Sequence, residues 1–157
     1  MSTTTPEIIT VFTGYVRGMA IKHAWDLVAE AESRIENLDV DQVAAELAAG
    51  TAVVLDIRDI RELLELGSIP GSIHAPRGML EFWVDPDTEY YRDLFDPAKR
   101  YILFCAAGGR SALSADTMRM QGYENVAHLR GGFGAWKAAG QPISDVASKS
   151  KWMKRPS

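Results

Sequence analysis

The stretch Tyr101-Ile102-Leu103-Phe104-Cys105-Ala106-Ala107-Gly108-Gly109-Arg110-Ser111 carries the pattern that decides the fold. A short aromatic and branched apolar run without a charge fits a strand buried inside a parallel sheet. Residues with almost no side chain follow, and from Ser111 the pattern is helical. Cys105, the single cysteine among 157 residues, sits where the strand becomes the loop. The backbone N–H groups of Ala106 to Gly109 can turn inward around an atom carried on its sulfur, and the helix N-terminus adds partial positive charge. The loop therefore suits an anion.

Strand-like and helix-like segments alternate on both sides of this junction, from about residue 36 to 141, which is the α/β signature. Glu36 to Val40 predicts a short edge strand. Asp39 or Asp41 can cap the next helix, where Val43, Ala44 and Leu47 recur at helical spacing until Gly50. Ala52 to Ile57 is the first central strand, Asp59 to Leu66 a short helix stopped by Gly67, and Ile69-Pro70-Gly71 a turn into the strand Ser72 to Ala75. Pro76 to Pro97 is less regular, but Phe82, Trp83, Tyr90, Tyr91 and Phe95 predict that it covers the domain. A helix over 111–121, a strand from Val126 to Leu129 and a last helix near Phe133 to Ala139 complete the set. Residues 18–35 predict an amphipathic helix with Ile21, Trp25 and Val28 on about one face, which either docks on the domain or forms a partner or dimer surface. Lys149, Lys151, Lys154 and Arg155 form a basic tail, read as a solvated end or as a contact for an anionic partner.

The composition is that of a soluble globular domain: 46% hydrophobic, 24% charged, with a formal charge of −4. That charge argues against nucleic-acid binding. No apolar run approaches the roughly 18 residues that would cross a bilayer. The start Met1-Ser2-Thr3-Thr4-Thr5-Pro6-Glu7 has no signal-peptide pattern. With one cysteine and no internal disulfide, a reducing cytoplasm is expected. One Cys and three scattered His supply no metal-ligand set, and no cofactor is expected.

A cysteine reacts as its thiolate, which a helix N-terminus and nearby cations favour without a general base. The three histidines, His23, His74 and His128, lie outside the local sequence of Cys105 and are read as structural or surface residues. A cysteine–histidine hydrolase would need the fold to bring one of them into contact. Asp56 ends a buried strand, so it is expected to accept structural hydrogen bonds, with Arg58 its counterpart or a surface charge. Arg77 should emerge at the carboxyl ends of the strands, where ligands of parallel sheets bind. Gly131, Gly132 and Gly134 lack a following Lys-Ser or Lys-Thr and are read as the turn that launches the last helix, with Trp136 in the core.

Three strings appear in order: Leu55-Asp56-Ile57-Arg58, Gly67-Ser68-Ile69-Pro70-Gly71-Ser72-Ile73, and the Cys105 loop followed by Leu129-Arg130-Gly131-Gly132-Phe133-Gly134-Ala135-Trp136. Jointly they resemble a single-domain rhodanese-like sulfurtransferase over residues 36–142. The resemblance implies a three-layer α/β/α domain around a central, mostly parallel five-stranded sheet. Residues 1–35 would be an N-terminal helical extension and 143–157 a C-terminal basic tail. It implies that Cys105 takes the outer sulfur of a donor such as thiosulfate as a persulfide and passes it to a thiol or cyanide. The amides of Ala106, Ala107, Gly108, Gly109 and Arg110 would hold the added sulfur, Arg110 would close the loop, and Ser111 would cap the helix or offer its hydroxyl. Arg77, from its place at the strand ends and not from the resemblance, is a candidate substrate-side cation.

Four residues separate Cys105 from Arg110, as in the sulfur-transferring members, whereas phosphatases of the same fold have five. Ser68 stands where many members carry His, a change expected at a surface turn. Ala106 and Ala107 replace basic or polar residues of some thiosulfate-using members, which points toward a larger donor, such as a glutathione persulfide or a partner protein's persulfide. The alternative is a non-enzymatic sulfur carrier, sensor or docking module. The sequence leaves the oligomeric state open.

Overall fold

The computed structural model describes residues 20–150, so residues 18–19 of the first expected helix and Lys151, Lys154 and Arg155 lie outside the described residues. Five strands, β1 (Glu36–Leu38), β2 (Val53–Asp56), β3 (Ile73–His74), β4 (Tyr101–Phe104) and β5 (Val126–Leu129), form one sheet in the order β1-β5-β4-β2-β3. All four pairings are parallel. Helices α1 (Ala24–Glu32), α2 (Val40–Ala49), α3 (Ile60–Leu66), α4 (Leu80–Trp83), α5 (Gly109–Met120), α6 (Gly132–Ala138) and α7 (Val146–Lys149) surround it.

Strand alternation divides the core. On one face Leu55, Leu103 and Val126 join Ala115 and Met118 of α5, with Phe95, Tyr101 and Tyr123 in edge and tilted ring contacts. On the other, Val54, Ile102, Phe104, Ala127 and Leu129 meet Val43 of α2 and Phe133 and Trp136 of α6. Trp136 is buried there as expected, its indole N–H donating to the Pro142 carbonyl at 2.8 Å. The helices start where their caps dictate. Asp39 and Gln42 form a reciprocal capping box on α2, and Asp59 and Glu62 another on α3.

The irregular stretch from 76 to 97 is fastened by tyrosine hydroxyls: Tyr123 donates to the Val84 carbonyl and Tyr91 to that of Phe95. Phe82 and Tyr90 stay about half exposed, while Phe95 is buried and Trp83 and Tyr91 pack half-buried against the same core.

Three expectations change. The docking face of α1 is Val28 and Ala31 against Ala112 of α5, while Ile21 and Trp25 are exposed. A helix of nine residues is shorter than the span 18–35. The segment from 143 to 149 is not a free tail. Ser144 bridges Ser68 in antiparallel fashion and α7 lies against α3. Gly67 is required there, because a Cβ at its φ of +80° would stand 2.5 Å from the Ser144 carbonyl oxygen. Finally, α5 begins at Gly109, two residues before the expected start, with Gly108 at φ +101° as its N-cap.

Candidate active site

Cys105 follows β4, the middle strand of the sheet, at the carboxyl edge where ligands of parallel sheets bind. Its side chain is buried, and its Sγ accepts hydrogen bonds from the N–H of Gly108 at 3.1 Å and of Ser111 at 3.3 Å. The loop is oriented by its carbonyls. Those of Cys105 and Ala106 accept the N–H groups of Phe133 and Gly134 at 2.7 and 3.0 Å, in the first turn of α6. Only glycine fits at 132: with φ +62°, a Cβ would lie 2.5 Å from the Cys105 oxygen and 2.6 Å from the Ala106 carbonyl carbon. The paired glycines thus do more than launch α6, since they let its N-terminus dock on the loop.

Arg110 reaches back to α3, its Nη1 and Nη2 donating to the two carboxylate oxygens of Glu62 at 2.8 and 2.9 Å. These bonds hold Glu62 below the ordinary carboxylate value and lift Arg110 above its own. Ser111 is the third residue of α5 and does not cap it. Its hydroxyl stands 3.5 Å from Sγ of Cys105, 3.3 Å from the Gly108 carbonyl and 3.0 Å from Nδ1 of His128. Ala106 and Ala107 form the outer loop, with Ala107 exposed. Arg77 opens a short 3-10 turn at the same edge, where its N–H donates to the Ile57 carbonyl at 3.1 Å and its side chain is exposed.

Beneath the loop, Asp56 and Arg58 form the structural pair that their strand position predicts, and Arg58 is no surface charge. Both are fully buried, joined by Nε and Nη2 to the two Asp56 oxygens at 3.0 and 2.8 Å. Arg58 Nη2 also donates to the Gly67 carbonyl, and its guanidinium lies 4.3 Å from the Phe133 ring centre. Ser68 is not a surface-turn residue. It is buried, and its hydroxyl donates to Asp56 Oδ2 at 2.7 Å. A small hydroxyl fits beside the carboxylate in a place closed off by residues 143–144.

Of the histidines, His74 bonds the Arg58 carbonyl and His23 precedes α1 without capping it. His128 differs. It points from β5 to the face that holds Leu103 and Cys105, and is buried. Sequence distance hides this contact, although a histidine alternating with Val126 inside an otherwise apolar strand is a visible signal.

The sequence model of the Rhodanese-like domain matches residues 39–139. This chain belongs to the rhodanese-like domain family. In structure, the rhodanese-like domain is similar to a Rhodopseudomonas palustris protein of unknown function labelled "Possible Tyrosine Phosphatase". The identity is 43%, the TM-score 0.76, and the match covers 80% of this chain and 97% of that one. In sequence it is 36% identical over 97 residues to the thiosulfate sulfurtransferase GlpE of Ectopseudomonas mendocina, covering 62% of this chain and 81% of that protein. It is also 32% identical over 89 residues to the mouse thiosulfate sulfurtransferase/rhodanese-like domain-containing protein 3, covering 54% of this chain. The chain spans 57% of that mouse relative's length. Relatives named sulfurtransferases support a sulfurtransferase kind of reaction. Among the described residues no helix is long and apolar enough to cross a membrane.

Proposed function

We propose that this rhodanese-like domain moves a sulfane sulfur through a Cys105 persulfide to a thiol or cyanide. One observation carries this proposal: Sγ of Cys105 is met by the N–H groups of Gly108 and Ser111 at 3.1 and 3.3 Å, in a loop whose carbonyls are turned away onto α6. Preorganised donors of this kind stabilise charge on sulfur and on one atom added to it. Ala106, Ala107, Gly109 and Arg110 would supply further N–H groups around the outer sulfur, and Arg77 is a substrate-side cation at the rim. The thiolate attacks the outer sulfur of thiosulfate, and sulfite leaves with the electron pair. An acceptor thiolate or cyanide then attacks the persulfide's outer sulfur and regenerates the Cys105 thiolate.

The Glu62 pairing of Arg110 and the alanines at 106 and 107 leave few cations for a dianionic donor, which favours a glutathione persulfide or a protein persulfide. The same feature supports a second reading as a sulfur carrier or sensor. A four-residue span from Cys105 to Arg110 also favours sulfur over a phosphate group. The test is thiocyanate formation from thiosulfate or glutathione persulfide with cyanide, beside hydrolysis of p-nitrophenyl phosphate. Thiocyanate that disappears in Cys105→Ser is expected; Cys105-dependent phosphate release without thiocyanate would overturn the proposal.

A further inference from the structure

A polar chain runs from the nucleophile into the N-terminal extension. Ser111 Oγ lies 3.5 Å from Cys105 Sγ and 3.0 Å from His128 Nδ1. His128 Nε2 lies 2.9 Å from Asn37 Oδ1 and 3.7 Å from a Glu32 carboxylate oxygen. The polarity of this chain is set by Asn37, whose Nδ2 donates to the carbonyls of Glu32 and Ile35 at 2.9 and 3.2 Å. Oδ1 therefore faces the imidazole and accepts Nε2–H, which leaves Nδ1 unprotonated toward the Ser111 hydroxyl. The single Ser111 hydroxyl proton then goes to Nδ1 at 3.0 Å, the nearer acceptor, in place of the Gly108 carbonyl at 3.3 Å, and Oγ presents a lone pair to the Cys105 thiol. Glu32 and Asn37 lie outside the residues matched by the family model, 39–139.

We propose that His128, acting through Ser111, takes up the Cys105 proton when sulfur is loaded and returns it when the thiol re-forms. This rests on the sulfur-transfer reading for its biological use, though not for its test. The thiol S–H bond breaks and its proton joins Ser111 Oγ, while the hydroxyl's own proton passes to His128 Nδ1. The products are a thiolate, an intact serine hydroxyl now directed at it, and an imidazolium, with net charge unchanged. The thiolate then forms the new S–S bond to the donor's outer sulfur, and the donor remainder leaves with the electron pair of the broken bond. His128 is thus a positioning residue one hydroxyl away from the reacting sulfur.

The charged and titratable groups facing His128 are Glu32 from α1, Arg130 from the turn just after β5 and Cys105 across Ser111. Burial holds His128 below the ordinary histidine value, with Glu32 opposing the shift and Arg130 reinforcing it. Neutral imidazole is the form that can accept a proton, and Glu32 then compensates the imidazolium. Arg130 donates to Glu32 at 3.0 Å and keeps that carboxylate in place. A part of the extension thereby becomes part of the site.

The experiment is iodoacetamide alkylation of Cys105 from pH 5 to 9.5 in the full chain, for wild type, Ser111→Ala, His128→Asn and Glu32→Gln, with sulfur loading followed in parallel. His128→Asn keeps a hydrogen-bond acceptor but not a base. The relay requires Ser111→Ala and His128→Asn to move the alkylation midpoint up by about one pH unit, about tenfold in rate near pH 6.5. It also requires convergence with wild type above pH 9 and no further shift in the double variant. Glu32→Gln moves it the same way by less. An unchanged midpoint, or rates lowered equally at every pH, overturns the relay. Should His128→Asn fail to fold, Ser111→Ala and Glu32→Gln decide by the same criterion. A midpoint shift in a protein that never gains sulfur supports the relay and removes sulfur transfer; sulfur loading with unmoved midpoints does the reverse.

Discussion

The Arg110 guanidinium is bound in parallel by both oxygens of Glu62, so the cation that follows the nucleophile loop is fastened to α3 by a bidentate pair. Cys105 is a second, smaller electrostatic partner of the same cation. Arg110→Ala is expected to slow iodoacetamide alkylation at pH 7 about fivefold, the effect of roughly 1 kcal/mol of charge interaction. Glu62→Gln, which removes the opposing charge and keeps a hydrogen-bond acceptor, is expected not to slow it. Equal slowing in both variants would mean that Arg110 acts only by holding the loop.

The buried pair beneath the loop sets a stability prediction. Arg58→Met leaves the Asp56 carboxylate buried with the Ser68 hydroxyl and the Arg58 N–H as its hydrogen-bond donors. The expected cost is about 3–5 kcal/mol by urea unfolding, and Asp56→Asn added to it should recover part of the loss, because the uncompensated charge is then gone. A cost below about 1 kcal/mol would show that water reaches the site.

Close approach of α6 to the loop is testable through glycine. Gly132→Ala and Gly140→Ala both place a side chain at positive φ, but only the first meets backbone, at 2.5 Å, while the second meets open space. Gly132→Ala should therefore cost about 1–3 kcal/mol more than Gly140→Ala and should impair sulfur loading. Equal costs would contradict the docking of α6 on the loop.

On the far side of α5, Asp116 receives three hydrogen bonds from Arg34 and one from Arg119, and this holds its carboxyl below the ordinary value. A depressed carboxyl contributes stability above its unfolded value and loses it as pH falls through the folded value. The stability gap between wild type and Asp116→Asn should therefore be flat above about pH 5 and shrink below the ordinary aspartate value of about 3.9. Urea unfolding at pH 7, 5 and 3 checks this; a gap that grows on acidification would contradict it.

The charge-free run at Tyr101–Phe104 and the small residues after it made the central strand and its loop legible, since burial on both faces and a tight turn each need those residue types. Local spacing also offers Asp39 or Asp41 as the cap of α2 and starts α3 at Asp59; the structure selects Asp39 and adds the reciprocal bonds of Gln42 and Glu62. What stayed hidden depends on chain segments far apart in sequence. Ser68 looked like a turn residue because nothing local shows that Ser144 closes over it. His128 looked structural because the register that pairs Leu103 with His128, and so sets it on the Cys105 face, belongs to the sheet and not to either strand. Trp25 looked like a core anchor by periodicity. In the structure its ring edge lies beside Gly109, where a Cβ would come within 3.3 Å, and most of the indole is exposed.

The intact mass of the reduced protein after incubation with thiosulfate or glutathione persulfide tests the persulfide directly. A gain of one sulfur atom, reversed by cyanide and absent in Cys105→Ser, is the expected result. A mass that stays unchanged with both donors, in a folded protein whose Cys105 alkylates normally, would contradict sulfur transfer at this site.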